Sequence, residues 1–385
     1  MVRYHALMRS VREIPELTNI PVLVRASLNV PIVNGKAGNM FRLRSALPTI
    51  EYLRSRHARV IIIGHLGEKG TETLAPVCEA MKSLVPRLSF CPVSTGPEAR
   101  AAIRNMEAGD VLMLENLRRE RGEVANDKKF AAALAELADV FVEDAFDVCH
   151  RTHASVVGLP ELLPSYAGLL LQEEVRHLTK ALTPVSPSLA IIGGAKFSTK
   201  EPVLVRLLEV YDRVFVGGAL ANDFMRASGK KVGTSLVSAD ADERAIRALL
   251  ANPKLMLPLD EVTAPMGAHR SAGRTVGLDG VPEDEAILDD GPKTVAALAK
   301  LATNAKTILW NGPLGNYENG FVDATEGLAR AVSQSRAYSL LGGGDTVAAV
   351  EKLNLTDRFS FISTGGGAML DFLAKGTLPG IQALG

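Results

Sequence analysis

The chain has 385 residues, of which 47% are hydrophobic and 22% are charged. This composition excludes an intrinsically disordered protein, and the length exceeds that of one ordinary hydrophobic core, so we predict two domains. The 43 basic residues balance the 43 acidic ones, which gives no electrostatic reason to expect binding to nucleic acid or to a membrane. Any anion-binding site must therefore be a local cluster of basic side chains.

The cellular compartment is indicated by the cysteines and the N-terminal segment. Cys78, Cys91 and Cys149 show neither CxxC nor Cys/His metal spacing, and such a low, odd number is typical of a reducing environment. The segment MVRYHALMRSVREIPEL carries charges throughout, unlike an export signal. We therefore predict a cytoplasmic protein.

Short aliphatic runs alternate with longer amphipathic stretches in the first half of the chain. Buried parallel strands are predicted at residues 21–25, 59–64, 110–114 and 139–142, and helices at 42–55, 74–84 and 127–137. Asn126 is the predicted N-cap of the last helix. The dipeptide Asn34-Gly35 indicates a β-hairpin.

The second half repeats this alternation. Strands are predicted at residues 189–193, 213–217, 306–310 and 338–342, and helices at 200–208, 294–301 and 346–353. Alternation of this kind predicts the α/β class, here two doubly wound parallel-sheet (Rossmann-like) domains with a cleft between them. Residues 169–182 predict one helix, which on pattern alone is either a hinge between the domains or an ordinary surface helix. We take it as the hinge, between domains at 1–170 (with the tail 371–385) and 171–370.

Glycine clusters follow several strands of the second half, where doubly wound folds bind their ligands. Glycines let backbone N–H groups approach an anion, and a helix N-terminus adds a partial positive charge. The clusters contain Gly193 and Gly194, Gly217 and Gly218, Gly343 and Gly344, and Gly366 and Gly367. Lys196 and Lys200 add full charges, and Asp345 can bind a hard cation such as Mg²⁺. Since neither GxxxxGK[ST] nor a GxGxxG fingerprint is present, we predict a nucleotide site of another kind.

The first half carries arginines, histidines and an asparagine in matching places. They are Arg25, Asn29, Arg42, His65, Arg118, His150, Arg151 and His153. Guanidinium groups bind phosphate and carboxylate groups bidentately, so a convergent set of this kind indicates a small phosphorylated or carboxylated ligand. Any one of these residues alone would more often be a surface charge.

These motifs together resemble the phosphoglycerate kinase family from about residue 21 to the end of the chain. The specific matches are LENLR, WNGPLG (310–315), GGGDT and STGGGA, with HLG, DAF…HR.HAS and GGAK.S.K in the same order. The resemblance implies a soluble, cytoplasmic, monomeric glycolytic enzyme. Its N-terminal domain would bind 3-phosphoglycerate or 1,3-bisphosphoglycerate, and its C-terminal domain Mg-ADP or Mg-ATP. The expected reaction is 1,3-bisphosphoglycerate + ADP = 3-phosphoglycerate + ATP.

The resemblance also implies roles for individual residues. The acid substrate is expected at Arg25, Ser27, Asn29, Arg42, His65, Glu68, Arg118, His150 and Arg151. The nucleotide is expected at Gly193, Gly194, Lys196, Lys200, Gly217, Gly218, Asn311, Glu318, Gly343, Gly344, Asp345 and Thr346. Arg42, Lys196 and Lys200 are the expected catalytic residues, Asp345 holds the metal, and the backbone N–H groups of Gly366 and Gly367 stabilise the transition state.

Two substrate positions depart from the family pattern. Ser27 stands where the family has aspartate, and Glu68 stands where it has arginine. The first change keeps a hydrogen-bonding group, whereas the second reverses a charge next to an anion. Three hypotheses remain open: a working phosphoglycerate kinase with altered substrate affinity, a related kinase for another small acid, or a nucleotide-binding paralogue with weak or no turnover.

Overall fold

The computed structural model describes residues 8–239 and 241–385. The chain divides into two compact units, one running to Arg176 and taking up Thr377–Gly385, the other formed by His177–Gly376. Each is built on a six-stranded parallel sheet, so the predicted α/β class with two domains is confirmed. The first seven residues of the segment predicted not to be an export signal lie outside the described residues.

The first unit has the strand order β5-β6-β4-β1-β7-β8 in its sheet. Its strands are β1 (Pro21–Arg25), β2 (Ile32–Val33), β3 (Lys36–Ala37), β4 (Arg59–Ile63), β5 (Leu88–Phe90), β6 (Val111–Met113), β7 (Val140–Glu143) and β8 (Ser165–Ala167). Its helices are α1 (Met40–Ser45), α2 (Leu47–Ser55), α3 (Ala75–Lys82), α4 (Gly96–Arg104), α5 (Arg121–Val124), α6 (Lys128–Ala135) and α7 (Leu169–Ala181), which continues into the second unit.

Both faces of this sheet are buried, which explains why its strands are continuous aliphatic runs. Successive side chains point to opposite faces: Val22 and Val24 of β1 belong to one apolar cluster, and Leu23 belongs to another on the opposite face. The predicted strands are confirmed to within one or two residues at each end. The hairpin is confirmed too, with β2 and β3 antiparallel around Asn34-Gly35.

Two details of the helix prediction are wrong. The N-cap of α6 is Asp127, whose carboxylate accepts a hydrogen bond from Phe130 N at 2.9 Å, while Asn126 has a positive φ of 50° that is incompatible with that role. The predicted helix at 42–55 is two helices, α1 and α2, which meet at Ala46. Pro48 lies in the first turn of α2, where its missing N–H costs nothing, so a new helix begins there.

The second unit has the strand order β11-β10-β9-β15-β16-β17 in its parallel sheet. Its strands are β9 (Ser188–Ile192), β10 (Arg213–Val216), β11 (Leu255–Met256), β12 (Asp260–Ala264), β13 (Arg274–Gly277), β14 (Ala286–Asp290), β15 (Thr307–Asn311), β16 (Tyr338–Gly342) and β17 (Phe361–Ile362). Its helices are α8 (Glu201–Val210), α9 (Ala219–Ala227), α10 (Glu243–Leu250), α11 (Pro292–Asn304), α12 (Asp323–Ser333), α13 (Gly344–Lys352) and α14 (Gly366–Lys375); α15 (Pro379–Gln382) belongs to the first unit.

A small antiparallel sheet, β13-β12-β14, accompanies the parallel sheet of the second unit. None of its strands was predicted from the sequence. The strand β12 reads DEVTA and begins with two carboxylates, which are depleted in strands, and β14 ends in two more. These acidic residues are nevertheless buried.

The helix that joins the two units is fixed at its N-terminus by a buried carboxylate. Asp144, directly after β7, accepts hydrogen bonds through Oδ1 from Leu170 N at 2.9 Å and from Leu171 N at 3.3 Å. These are two of the N–H groups that a helix leaves unpaired in its first turn. The contact binds the start of α7 to the sheet of the first unit, while the last turns of the helix belong to the second unit.

Candidate functional site

In the first unit, the strand order collects the predicted acid-binding residues at one edge. The strands β6, β4, β1 and β7 are neighbours and parallel, so their carboxyl ends lie side by side. The residues that end or follow these four strands are Arg25, Ser27 and Asn29, then His65 and Glu68, then Arg118, and finally His150 and Arg151. Arg42, from α1, joins them through a hydrogen bond that its Nη1 donates to the Asn29 carbonyl.

A buried network fixes the protonation of His65. Arg25 is 0% exposed, and its Nη2 lies 3.0 Å from His65 Nδ1. Because a guanidinium can only donate, Nδ1 accepts and the imidazole proton is on Nε2. Burial, and next the charge of Arg25, hold the pKa of His65 well below its ordinary value. His65 is therefore a neutral ring that offers one N–H donor.

Arg25 is also held by Ser155 and, through it, by Glu123, neither of which was predicted as a site residue. Arg25 Nε donates to Ser155 Oγ at 3.0 Å, and Ser155 Oγ donates to the buried carboxylate of Glu123 at 2.6 Å. His153 lies 3.8 Å from the same carboxylate. Burial, with Arg118 and Arg25 nearby, lowers the pKa of His153 to about 4. A helix of four residues, α5, gives no periodic signal that would have identified Glu123.

Arg118 and Asn29 both hold the loop that follows β4. Asn29 Oδ1 accepts from Gly67 N at 3.0 Å, and Arg118 Nη1 donates to Gly67 O at 2.6 Å. Burial, then the charges of Arg25 and Arg151, lower the pKa of Arg118. Three guanidinium groups are thus close enough to repel one another. A multiply charged anion bound among them would offset this repulsion.

The two positions that depart from the family pattern differ in their surroundings. Ser27 is 1% exposed, and its Oγ has no hydrogen-bond partner among the described residues. Arg118 Nε is likewise buried without a partner in that part of the chain. Glu68, by contrast, is exposed, but its charge acts on Arg118 and favours the protonated guanidinium. Ser27 Oγ and Arg118 Nε are therefore available to hydrogen-bond a ligand, while the carboxylate of Glu68 offsets part of the positive charge of the arginine cluster.

In the second unit, glycines from two of the predicted clusters, Gly194 and Gly218, line a cavity of about 450 Å³ at the carboxyl edge of the sheet. The glycines at the starts of α13 and α14, and both predicted lysines, are not among its lining residues. Gly194 follows β9, Gly218 follows β10, Glu318 lies in the loop after β15, and Asp345 is in the first turn of α13. All four line the cavity, together with apolar side chains such as Leu314. A largely apolar pocket of this size with a few polar groups on one side fits a small organic ligand.

The two lysines of the predicted site differ in exposure. Lys200 is half-buried and lies over the turn after β9, since a Cβ atom added to Gly194 would be 3.8 Å from Lys200 Nζ. Lys196 is exposed. Burial, and then the like charge of Lys196, lower the pKa of Lys200. A desolvated ammonium beside glycine N–H groups is suited to binding phosphate oxygens.

The loops after β9 and β15 pack backbone against backbone. Gly193 N donates to Asn311 O at 2.9 Å, and a Cβ atom on Gly193 would lie 2.2 Å from Pro313 O. Gly312 has a φ of 96°, a conformation that favours glycine. Asn311 is 4% exposed and ends the central strand β15. These glycines are therefore required for the close approach that shapes one side of the cavity.

The N-termini of α13 and α14 supply further groups. Gly343 caps α13, in which Gly344, Asp345 and Thr346 form the first turn. The hydroxyl of Thr346 is buried and has no hydrogen-bond partner among the described residues. Gly366 and Gly367 begin α14, where backbone N–H groups are unpaired by the helix. Gly217, which precedes the cavity-lining Gly218, packs against Asp290 and is not itself a lining residue.

The residues present fit a Mg²⁺ ion that is held mainly by a ligand's phosphates. Burial, and next the charge of Glu318, raise the pKa of Asp345, so a cation bound here would stabilise its ionised form. Within residues 8–239 and 241–385, no group of three or more His, Cys, Asp or Glu side chains is arranged to hold a metal. Mg²⁺ is commonly bound by one or two carboxylates together with substrate phosphates, and Asp345 meets that requirement.

Comparison with known proteins gives a consistent result. The phosphoglycerate kinase family model matches residues 11–376. The phosphoglycerate kinase of Rubrobacter xylanophilus is 45% identical, with 98% of each chain covered. That of Maricaulis maris is 43% identical, with 94% of each covered.

Solved structures agree with the sequence relatives. The phosphoglycerate kinase of Coxiella burnetii superimposes with a TM-score of 0.81 at 38% identity, and that of Pyrococcus horikoshii OT3 with 0.89 at 29% identity, each covering 98% of both chains. None of the described helices is both long and apolar enough to cross a bilayer. By motif, sequence and fold, the chain belongs to the phosphoglycerate kinase family and is a kinase.

Proposed function

We propose that the protein transfers a phosphoryl group between 1,3-bisphosphoglycerate and ADP, forming 3-phosphoglycerate and ATP. One observation carries the proposal. Basic side chains converge at the carboxyl edge of the first sheet, and at the carboxyl edge of the second sheet Lys200 lies over Gly194, which lines a cavity together with Gly218 and Asp345. The named relatives favour this reaction over a kinase for another acid or an inactive nucleotide-binding paralogue.

The acid substrate would be held by the first unit. Arg118, Arg151 and His150 would bind its phosphate, His65 would donate through Nε2–H, and Ser27 and Asn29 would bind its hydroxyl. Arg25 would act through His65, because its guanidinium is fully buried and each of its three nitrogens hydrogen-bonds to a group of the protein itself. Arg42 would reach the transferring group. The orphaned Ser27 Oγ and Arg118 Nε support an oxygen-rich ligand in this place.

The nucleotide would be held by the second unit. Its base would lie on the apolar wall at Leu314, its ribose at Glu318, and its phosphates at Lys196, Lys200 and the glycine turns. Asp345 would hold Mg²⁺, which neutralises phosphate charge when bound. The N–H groups of Gly366 and Gly367 would face the group in transfer.

The acceptor carboxylate is already ionised at neutral pH, so transfer needs no general base. Rate enhancement then comes from alignment of the two substrates and from stabilisation of charge by lysine, arginine and backbone N–H groups. We further propose that α7 is the hinge on which a cleft between the domains closes, which would exclude water. The compact units, which divide near residues 176 and 376, support the predicted domains at 1–170 with 371–385 and at 171–370. The proposed enzyme is a cytoplasmic monomer.

A coupled assay in the ADP-forming direction tests the proposed reaction. With Mg-ATP present, 3-phosphoglycerate should support turnover, while glycerate and 2-phosphoglycerate should not. Turnover with another acid alone would favour the related-kinase hypothesis. ATP binding by calorimetry without turnover on any acid would favour the paralogue.

Alanine at Gly193 is expected to weaken nucleotide binding. The added Cβ would force apart the loops after β9 and β15, at an overpacking cost of about 1–3 kcal/mol. Calorimetry should therefore give a Kd for Mg-ADP raised by roughly tenfold. Gly277→Ala is the control, because that glycine lies in the same unit with nothing within 4 Å of an added Cβ. Equal affinity in both variants would contradict this packing argument.

Arginine at position 68 is expected to improve binding of the acid substrate. Glu68→Arg replaces a charge that offsets Arg118 with one that adds to it, so the KM for 3-phosphoglycerate should fall by about tenfold. The same reversal in Glu79→Arg, an exposed residue of α3 paired with Lys82, controls for overall charge. An unchanged KM in Glu68→Arg would mean that the side chain at position 68 turns away from the substrate.

A further inference from the structure

Two acidic side chains face each other inside the second unit. Glu261 of β12 and Asp290 of β14 are register partners in the antiparallel pair, and side chains at such positions lie on the same face with their Cβ atoms about 5 Å apart. Both residues are buried, Glu261 with 0% and Asp290 with 3% exposure. Two buried carboxylates at this separation cannot both be ionised without a cation between them.

The hydrogen-bonding atoms of this pair are incomplete. Glu261 Oε1, Glu261 Oε2 and Asp290 Oδ2 have no donor partner among the described residues. The nearest charged side chains, Asp260 on β12 and Asp289 on β14, are acidic as well. One proton between Glu261 and Asp290 would supply the missing hydrogen bond and remove one of the two charges.

The two members of the pair are not equivalent. Asp290 Oδ1 accepts a hydrogen bond at 3.2 Å from Gly218 N, and Gly218 is the residue that caps α9. The positive end of that helix favours a negative charge on Asp290. Glu261 has no such partner, so a proton shared by the pair would reside on Glu261 and be donated to Asp290.

The neighbouring acids are satisfied differently. Asp260 accepts from Lys293 N and Thr294 N at the start of α11. Asp289 accepts from Ala324 N at 3.1 Å, and burial raises its pKa to about 7, with Asp323 on α12 adding to the effect. Both accept hydrogen bonds from helix N–H groups, whereas Asp290 Oδ2 has no partner among the described residues, so Asp290 is the acceptor for Glu261.

Asp290 lies directly beneath the turn that borders the cavity. A Cβ atom added to Gly217 would be 2.5 Å from Asp290 Oδ2, and Gly218 itself lines the cavity. We propose that Asp290 is a positioning residue for the nucleotide: through the proton it shares with Glu261, it holds the Gly217–Gly218 turn in its binding conformation. This inference rests on the proposed nucleotide site.

The shared proton predicts a pH dependence that Glu261→Gln removes. When the pair loses its proton at high pH, two charges repel beneath the turn and nucleotide affinity falls. Glutamine is neutral at every pH and still donates to Asp290. Calorimetry gives the Kd for Mg-ADP of the wild type and of Glu261→Gln at about pH 6 and at about pH 9. The ratio of the wild-type Kd to the Glu261→Gln Kd should be about tenfold higher at about pH 9 than at about pH 6, which is equivalent to one pKa unit. Glu283→Gln, which removes an exposed charge on the same unit, should follow the wild type.

Variants at position 290 separate positioning from folding. Asp290→Asn keeps an acceptor for Gly218 N and a hydrogen bond to Glu261, so it should retain affinity and lose the pH step. Asp290→Leu keeps the volume but removes the acceptor, and the Kd for Mg-ADP should rise by about five- to tenfold. The Kd for 3-phosphoglycerate should be the same in all variants. Wild-type affinity in Asp290→Leu, or an identical pH profile in Glu261→Gln and wild type, would overturn the proposal.

Thermal unfolding without nucleotide tests the shared proton independently. Burial and the neighbouring acids raise the pKa of Glu261 in the folded protein, so the unfolded chain releases its proton at lower pH, and wild-type stability falls as the pH rises above about 4.3. Glu261→Gln should therefore raise Tm more at about pH 9 than at about pH 5; an equal shift at both would refute the shared proton. Failure of the wild type to bind Mg-ADP at any pH would instead contradict the proposed function.

Discussion

Replacing Arg42 with alanine is expected to lower kcat by about 10²–10³-fold, the usual cost of removing a group that stabilises transition-state charge. Arg42 lies in the first turn of α1, where the side chain of Asn39 caps the helix. Its guanidinium also donates to the carbonyl of Asn29. A side chain oriented by both its helix and a neighbouring loop is organised before the substrate arrives, so its loss should appear in kcat more than in KM.

Two further variants sharpen this test of Arg42. Arg42→Lys keeps the charge but loses the planar fork, so its kcat should fall between those of the wild type and of Arg42→Ala. Arg44→Ala removes an exposed arginine from the same helix and should leave kcat unchanged. Steady-state kinetics with Mg-ATP and 3-phosphoglycerate give both constants. Similar kcat values in Arg42→Ala and Arg44→Ala would show that Arg42 is not a catalytic residue.

The second large effect is expected at Lys200. Methionine preserves the length of the side chain and removes the ammonium that lies over Gly194. Lys200→Met should therefore lower kcat by about 10²–10³-fold, whereas Lys196→Met, at an exposed position, should cost about tenfold or less. Comparable losses in the two variants would contradict the special position of Lys200.

The lowered pKa of Lys200 leads to a prediction for the pH dependence of activity. Its ammonium is present only below its folded pKa, and burial together with Lys196 lowers that pKa. Activity should therefore decline on the alkaline side at a lower pH than an ordinary lysine would allow. Removing the like charge in Lys196→Met should move this decline to higher pH. A shift to lower pH, or none, would show that another group controls the alkaline limb.

The sequence predicted the parallel sheets well because their strands are buried on both faces. Runs such as RVIII in β4 have no other stable location in a water-soluble fold. The position of the site was also predictable. Glycines and basic residues that follow strands lie at one edge of the sheet in each unit, because the strands are parallel. The short edge strands β5 (LSF) and β8 (SYA) were missed, because each contains a serine and neither is a continuous aliphatic run like VLM in β6.

The rest of the site could not be predicted, because burial of a charged residue leaves no local pattern. Arg25 looked like a ligand-binding arginine, and only its contacts with Ser155 and His65 show that its hydrogen bonds are internal. Glu261 and Asp290 lie far apart in the sequence and neither was predicted as a site residue; they become neighbours only because β12 and β14 pair. Such relations depend on register, which the sequence of a short polar strand does not specify.

A single-turnover experiment with γ-³²P-labelled Mg-ATP, 3-phosphoglycerate and enzyme in excess is the most direct test of phosphoryl transfer to a carboxylate. We predict that the label passes to an acyl phosphate that hydroxylamine traps as a hydroxamate with release of labelled phosphate, and that no label is retained on the protein. Label bound to the protein, or appearing as inorganic phosphate before hydroxylamine is added and regardless of the acid, would contradict direct transfer.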